Sequence, residues 1–245
     1  MNSNPKIIVF EPNWIGDVIF TTPIFKAIKE HEEGCFLGCI VPKRCRNILE
    51  NNPFIDEIIE FNERTTHNSF LKKISFVRKL KSKHYETALI LHRSFTRTLV
   101  CYLAGIRKRV GYAYEKRAFL LTDKIPPVNK DSIHKQDYYL GVAEEFGIKI
   151  NDRNCRIYCS RQDKEWADKL IGNAASKDIL IAINPTTNWP PKNWPLESFI
   201  ELINILITKI RHIRIFITSK EKEIRLLSLI NTETLMKIVN LTGKT

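Results

Sequence analysis

The sequence has no long uninterrupted apolar run. Stretches such as Ile179 to Ile183 are far shorter than the roughly 20 apolar residues that span a bilayer, so no transmembrane helix is predicted. The N-terminal residues MNSNPKIIVF also lack the apolar segment and the small cleavage-site residues of a secretory signal. We therefore expect a cytoplasmic protein.

Paired cysteines and the common catalytic motifs are missing as well. The six cysteines are scattered without CxxC spacing, and no histidines stand at zinc-site distances from them, which indicates reduced structural thiols. The sequence contains no GxxxxGKS or GxxxxGKT loop, no GxGxxG after a strand, no HExxH and no GxSxG. It also has no Asp-x-Asp pair that could hold a divalent ion beside a sugar nucleotide. We therefore expect neither a metal nor a cofactor.

Positive charge is concentrated in the middle of the chain. The net charge is +12, and the segment from Arg64 to Lys135 holds 17 Lys or Arg against 4 Asp or Glu, so the remainder is close to neutral. Such a basic block attracts phosphates, anionic lipid headgroups or nucleic acid, although a solvated surface explains a run of charge equally simply. No RNA-binding aromatic motif or helix-turn-helix signature accompanies it, so no specific nucleic-acid partner is expected.

Strand and helix patterns alternate along the chain. The β-branched run Lys6 to Phe10 is followed by a loop and then by a helical pattern from Asp17 to Lys29, and similar units follow. This alternation predicts an α/β fold with parallel sheets that are covered on both faces. The segment Leu121 to Ser132 is polar and contains two prolines. We place the domain boundary beyond it, which gives an N-terminal domain of residues 1–150 and a second domain of residues 151–245.

The loop Glu11 to Gly16 joins the first predicted strand to the first predicted helix. It places Asp17 at the carboxyl edge of the sheet, where open α/β sheets bind ligands. The helix dipole would keep Asp17 ionised and able to accept a proton, but Asp is also a favoured helix cap, and its position is compatible with both roles. Gly16 allows the close approach of a ligand or a positive φ, or it simply permits a tight turn.

A second polar loop follows the predicted strand Ile179 to Asn184. It contains Thr186, Thr187 and Lys192, and Pro195 marks the start of the next helix. Hydroxyls, a lysine and a helix N-terminus suit the binding of a diphosphate. An ordinary loop with capping hydroxyls accounts for these residues equally well. Beyond it, helical patterns at Pro195 to Ile207 and Lys220 to Ile230 separate the later strands.

Five segments of the chain carry a family resemblance. They are NWIGDVIFTTPIFKAIKE (13–30), RSFTRTLVCYLAGIRKRVGY (93–112), HKQDYYLGVAEEFGI (134–148), NPTTNWPPKNWPLESFIELI (184–203) and NLTGKT (240–245). In order and spacing they resemble glycosyltransferase family 9, which includes the bacterial ADP-heptose:lipopolysaccharide heptosyltransferases. The similarity extends through nearly the whole chain.

The resemblance implies a GT-B fold, in which two Rossmann-like domains face each other. The N-terminal domain would bind the acceptor, and the second, incomplete domain would bind the nucleotide sugar. Transfer would be inverting and independent of metal, with Asp17 as the catalytic base. The donor diphosphate would be bound by Thr186, Thr187 and Lys192, and Gly16 would allow close approach of the backbone.

The same resemblance implies the partners. The donor would be ADP-heptose or a related nucleotide sugar, and the acceptor a lipid A-linked oligosaccharide. The protein would work peripherally at the cytoplasmic face of the inner membrane, an anionic surface. Within the basic block, Arg93, Arg97 and Arg117 are the candidate ligands of the acceptor phosphates.

One feature departs from the family pattern. Members of the family continue after the LTGKT-like strand into an Asp-Ser-Gly-Pro-x-His-like segment that contacts the donor, and this sequence stops before it. We therefore expect an incomplete donor pocket. The alternatives are a family 9 transferase with another ADP-sugar or acceptor, an inactive remnant, and a basic module that binds nucleic acid or membrane.

Overall fold

The chain forms two compact units, residues 1–161 and 162–245. The computed structural model describes residues 4–63, 65–114, 116–129, 132–172, 178–187, 190–219, 226, 230 and 232–244. The first unit includes residues 151–161, which the predicted boundary at 150 assigns to the second domain. This segment lies along the first unit because the Arg156 N–H donates to the Thr22 hydroxyl at 3.1 Å and Asp152 pairs with Lys26 at 3.5 Å.

Six parallel strands form the sheet of the first unit. They are β1 (Lys6–Phe10), β2 (Phe36–Val41), β3 (Glu57–Glu60), β4 (Thr87–Ile90), β5 (Lys108–Tyr112) and β6 (Asp123–Ile125). Their order is β3-β2-β1-β4-β5-β6. The chain runs from β1 outward through β2 to β3 on one side and from β4 outward through β5 to β6 on the other, so the direction reverses between β1 and β4. The strand β6 was not predicted, because it lies within the polar segment 121–132.

Helices cover both faces of this sheet, as the alternating pattern predicts. They are α1 (Ile15–His31), α2 (Arg46–Leu49), α3 (Phe70–Lys81), α4 (Phe95–Leu103) and α5 (Lys135–Glu145). Alternate residues of β1 point to opposite faces. Val9 belongs to the core beneath α1 and α5, and Ile8 belongs to the core beneath α3 and α4. Both faces of the sheet are therefore buried, and ligands can reach it at the ends of its strands.

The second unit contains a smaller parallel sheet in the order β7-β8-β9. Its elements are α6 (Arg161–Ile171), β7 (Ile179–Ile183), α7 (Leu196–Lys209), β8 (Ile213–Ile217), α8 (Thr232–Leu235) and β9 (Ile238–Asn240). A small core that includes Ile203, Ile215 and Leu226 holds the sheet and α7 together. Most of the helix predicted over Lys220 to Ile230 lies outside the described residues.

Neither a membrane-spanning helix nor a metal-binding cluster is found among the described residues. No helix there combines the length and the apolar character that a bilayer crossing requires. No group of three or more His, Cys, Asp or Glu side chains is arranged there to hold an ion. The cysteines are free thiols. Four of them, Cys35, Cys39, Cys45 and Cys101, are buried and act as small apolar core residues.

Candidate active site

Asp17 lies in the first turn of α1. The helix begins at Ile15, and its N-cap is Trp14, whose backbone is extended with φ −108° and ψ 144°. The interpretation of Asp17 as a helix cap is therefore wrong, because the helix starts two residues earlier than its apolar pattern indicates. A carboxylate in the first turn still interacts favourably with the helix dipole. The Asp17 side chain is 13% exposed, so it is shielded from most of the solvent but accessible.

A cavity of about 410 Å³ opens beside Asp17 at the carboxyl edge of the sheet. It lies between the ends of β1 and β4, where the strand order reverses and where open α/β sheets bind their ligands. The lining residues are Pro12, Asn13, Trp14, Asp17, Leu91, His92, Arg93, Lys135, Tyr138 and Tyr139. All of them belong to the first unit. The cavity therefore offers one carboxylate, two cations and two phenols to a ligand.

Two side chains from α5 approach the Asp17 carboxylate. Lys135 Nζ lies 3.5 Å from Asp17 Oδ1, but the Lys135 side chain is 70% exposed, so this ion pair contributes little to stability. Burial raises the pKa of the Tyr139 hydroxyl, and the negative charge of Asp17 and a hydrogen bond to it raise that pKa further. Tyr139 therefore keeps its proton at neutral pH, and its hydroxyl donates a hydrogen bond to the Asp17 carboxylate. This contact orients the carboxylate within the cavity.

Arg97 holds the loop between β1 and α1 in place. Its guanidinium donates to the Glu11 carbonyl and to Asn13 Oδ1, and it lies 3.8 Å from the Glu63 carboxylate and 5.0 Å from the Phe10 ring. The residue is 1% exposed. Burial lowers the pKa of Arg97 to about 10, although the charges of Glu63 and Glu11 oppose the shift, so the side chain stays charged at neutral pH. Arg97 thus braces the floor of the cavity.

Arg117 performs the corresponding role for the loop after β4. Its Nε donates to the Tyr112 carbonyl at 3.0 Å and its Nη1 to the His92 carbonyl. Burial lowers the pKa of this guanidinium as well. The two loops are joined because Asn13 Nδ2 lies 3.2 Å from His92 Nε2, while the Ser94 N–H donates to His92 Nδ1 at 3.0 Å. The cavity floor is therefore a connected polar network.

The three predicted acceptor arginines thus occupy different environments. Arg97 and Arg117 are each 1% exposed and bond to backbone carbonyls, so direct contact with an acceptor phosphate does not fit their positions. Arg93 is exposed, lines the cavity and lies over the Tyr114 ring at 5.2 Å. Of the three, Arg93 alone is placed to meet a ligand, and that role stays a prediction.

Glu11 is a fully buried carboxylic acid directly after β1. The Thr21 hydroxyl lies 2.7 Å from Glu11 Oε2 and also 2.7 Å from the Val18 carbonyl. A hydroxyl has one proton to donate, and a carbonyl can only accept. The Thr21 hydroxyl donates to Glu11 Oε2 and also contacts the Val18 carbonyl, so its one proton is shared between two acceptors. Burial raises the pKa of Glu11 from 4.5 to about 8, although the Thr21 hydrogen bond and the charge of Arg97 oppose the shift.

This buried acid should make stability depend on pH. Between 4.5 and about 8 the folded chain keeps a proton on Glu11 that the unfolded chain has lost, so the free energy of unfolding falls as the pH rises through this interval. In Glu11→Gln the side chain cannot titrate, and a flatter curve is expected in chemical denaturation at several pH values. Each unit of difference in pKa contributes about 1.4 kcal/mol. The exposed Glu50→Gln serves as control, and parallel curves for Glu11→Gln and wild type would contradict the assignment.

Gly16 lies beside Asp17 in the first turn of α1. Its backbone is helical, and it is not among the described glycines with positive φ, so that part of the prediction is wrong. A Cβ added at Gly16 would meet no atom within 4 Å. Close approach of a ligand to this open backbone stays a prediction.

The predicted donor loop lies in the second unit, ahead of α7. Thr186 Oγ1 is 2.8 Å from Ser219 Oγ, and the Thr187 N–H and hydroxyl both donate to Asn193 Oδ1 at 2.8 Å. Lys192 is exposed at the end of a short 3-10 helix, Pro190–Lys192. Residues 188 and 189 lie outside the described part of the loop. The hydroxyls are therefore held by local hydrogen bonds, and their contact with a diphosphate stays a prediction.

Glu11, Lys135 and Tyr139 are among the residues of the site that were not predicted. Glu11 had a signal, since it is a charged residue directly after a buried strand, where α/β proteins place functional groups. Lys135 and Tyr139 belong to the segment 134–148 that resembles the family. Their distance from Asp17 depends on the packing of α5 against α1, which a sequence pattern does not reveal.

Residues 73–245 match the family described as glycosyltransferase family 9 (heptosyltransferase). The chain belongs to this family. The match covers well over half of its length and makes the protein a transferase. The predicted membership of the family is therefore confirmed.

Similar proteins extend the match to the N-terminal unit. Lipopolysaccharide heptosyltransferase 2 of Escherichia coli (strain K12) is 25% identical over 251 residues, covering 98% of this chain and 72% of that protein. The solved structure of E. coli ADP-heptose lps heptosyltransferase II gives a TM-score of 0.77 at 24% identity, with 98% and 73% covered. A glycosyl transferase family 9 structure from Veillonella parvula gives 0.83 at 20% identity, with 98% and 70% covered. These structures confirm the α/β fold with parallel sheets of the GT-B heptosyltransferases.

Proposed function

We propose that this family 9 transferase moves heptose from ADP-heptose to the inner core of lipopolysaccharide, with Asp17 as general base. One observation carries the proposal: a shielded carboxylate lies in a cavity at the switch point of the sheet, next to Lys135 and Tyr139. The 25% identity to lipopolysaccharide heptosyltransferase 2 supports the choice of sugar and acceptor.

In the proposed reaction, Asp17 accepts the proton of the acceptor hydroxyl. The acceptor oxygen attacks the anomeric carbon from the face opposite ADP, so a new glycosidic bond forms while the bond to the diphosphate breaks, and the configuration inverts. Tyr139 donates to Asp17 and directs the other lone pairs of the carboxylate toward the acceptor. Lys135 Nζ, 3.5 Å from Asp17 Oδ1, places a positive charge beside this carboxylate.

The leaving ADP would be stabilised by the donor loop of the second unit. The hydroxyls of Thr186 and Thr187, the Lys192 ammonium and the N-terminus of α7 supply hydrogen bonds and positive charge to a diphosphate. This proposal needs no metal and no cofactor, because cationic and backbone groups provide the charge. Gly16 would let the sugar or the acceptor approach the backbone beside Asp17.

The acceptor in this proposal is a phosphorylated, lipid A-linked oligosaccharide. Arg93 and Lys135 line the cavity and would bind its phosphates through charge-assisted hydrogen bonds. Such an acceptor would be met at the anionic cytoplasmic surface of the inner membrane, where the basic block between Arg64 and Lys135 is attracted electrostatically. Another ADP-sugar or acceptor remains the alternative within the family.

A transfer assay tests the proposal. The natural protein is incubated with a phosphorylated inner-core acceptor and each of several ADP-sugars, and the product is analysed by mass spectrometry. We expect the mass of one heptosyl residue to be added, with kcat/KM for ADP-heptose at least about tenfold above that for other ADP-sugars. Activity should persist in EDTA, and the new linkage should have the inverted anomeric configuration. Faster transfer from another ADP-sugar would overturn the donor, and no transfer from any of them would overturn the function.

A further inference from the structure

Two large apolar side chains project into solvent at the start of α3. Phe70 is 76% exposed and Leu71 is 77% exposed. The helix does not need them for its own packing, because Phe76 and Leu80 on its inner side are buried in the core. Single exposed apolar residues are common, but adjacent ones on a soluble surface often mark an interaction site.

A second exposed apolar pair lies at the same edge of the sheet. Phe95, at the start of α4, is 41% exposed, and Phe119 is 70% exposed, with their ring centroids 6.2 Å apart. The starts of α3 and α4 are tied together, because the Ser94 hydroxyl, at the N-cap of α4, donates to the Glu63 carboxylate in the loop before α3 at 3.2 Å. We name Phe70, Leu71, Phe95 and Phe119 the apolar rim.

The apolar rim is accompanied by positive charge. The twelve residues of α3 include five Lys or Arg and no Asp or Glu. Lys72, Arg78 and Lys79 are exposed on this helix, and in the described part of the chain no carboxylate forms an ion pair with them. Their charge is therefore available to a partner.

The rim lies at the carboxyl edge of the sheet, as the candidate active site does. Arg93, which lines the cavity, is two residues before Phe95 in the loop that follows β4. A surface that bound the rim would thus bring its own components close to the cavity. This continuity argues for a partner that also carries the acceptor.

We propose that the apolar rim inserts into the headgroup region of an anionic lipid bilayer, with the cations of α3 on the lipid phosphates. The proposal rests on the proposed function, since docking would present a lipid-anchored acceptor to the cavity. Amphipathic helix surfaces with apolar and basic residues bind such interfaces through burial and charge together. Nucleic acid would satisfy the cations but would leave Phe70 and Leu71 in water.

Vesicle sedimentation tests this docking surface. The natural protein is mixed either with vesicles of phosphatidylcholine alone or with vesicles that also contain roughly 30% phosphatidylglycerol, which makes their surface anionic. We expect binding to the anionic vesicles, weakened by salt, and a loss on the order of tenfold or more in the double variant Phe70→Ser/Leu71→Ser. Because both side chains are exposed, the thermal unfolding midpoint should stay unchanged.

The control replaces another exposed aromatic–leucine pair, which lies at the other end of α4, away from the apolar rim. Tyr102 and Leu103 are 50% and 51% exposed, and Tyr102→Ser/Leu103→Ser should bind anionic vesicles as wild type does. Transfer to a deacylated, water-soluble acceptor is measured in parallel, so that failure of catalysis and failure of docking are separate results. Equal vesicle binding by wild type and Phe70→Ser/Leu71→Ser would overturn the proposal. The proposal would also be overturned if this variant kept vesicle binding but lost nucleic-acid binding or self-association.

Discussion

Replacing Asp17 by Asn is expected to lower kcat by a factor on the order of 10² to 10⁴, the range typical of a lost general base. Asparagine has nearly the same shape, but its amide cannot accept the proton of the acceptor hydroxyl. The donor loop and Arg93 are unchanged in this variant, so KM for the donor and for the acceptor should change much less than kcat. Steady-state kinetics of heptosyl transfer by the natural protein and the variant measure the effect.

The variant should also remain folded. Its lost ion pair joins Asp17 to a Lys135 side chain that is 70% exposed, and such pairs contribute less than about 1 kcal/mol. Asp137→Asn is a matched control, since Asp137 also lies in the first turn of a helix but is 52% exposed and pairs with Arg153. Its kcat should stay close to that of wild type. Normal turnover by a folded Asp17→Asn protein would remove Asp17 from the role of base.

Replacing Arg97 by Met is expected to destabilise the first unit by about 3 kcal/mol. Methionine fills part of the space but leaves the Glu11 carbonyl and Asn13 Oδ1 buried without their donor, and it removes the cation next to Glu63. Loss of one partner of a buried charged group costs about 3 to 5 kcal/mol in other proteins. Chemical denaturation measures the loss, and kcat should fall too because the loop carrying the cavity floor is no longer fixed.

Arg93→Met is the matched control for this variant. Arg93 is four residues earlier in the chain, but it is exposed and lines the cavity. Its replacement should change stability by less than about 0.5 kcal/mol and should raise KM for a phosphorylated acceptor. The two substitutions are therefore expected to differ, because Arg97→Met lowers stability and kcat whereas Arg93→Met mainly raises KM for the acceptor. If Arg97→Met were as stable as wild type, Arg97 would not brace the loop.

The alternating strands and helices could be predicted because each apolar run has a local period. The exception, β6, has only three residues, and Asp123 and Lys124 are exposed in it, so its place in the sheet comes from pairing with β5 and not from its own sequence. The boundary between the units was equally hidden. Residues 151–161 have no helix or strand pattern until α6 begins, and their position follows from hydrogen bonds to α1.

The candidate site could be predicted in part. Asp17 and the loop before it were identified because the carboxyl edge of a parallel sheet is a general ligand site. Sequence alone did not separate Arg93 from Arg97 and Arg117, since burial depends on which loop covers each side chain. The state of Glu11 also could not be read from its sequence neighbours, because its raised pKa arises from enclosure by segments distant in the chain.

The central position of β1 has a consequence for synthesis of the protein. One side of β1 pairs with β2, which follows soon after, but the other side must wait for β4, and residues 11–86 lie between them. At about 5 to 20 residues per second, a ribosome needs roughly 4 to 15 seconds to make that interval. Throughout it, an apolar strand destined for the middle of the sheet has an unpaired edge that other chains could join. The nascent chain should therefore need most protection from chaperones before β4 emerges.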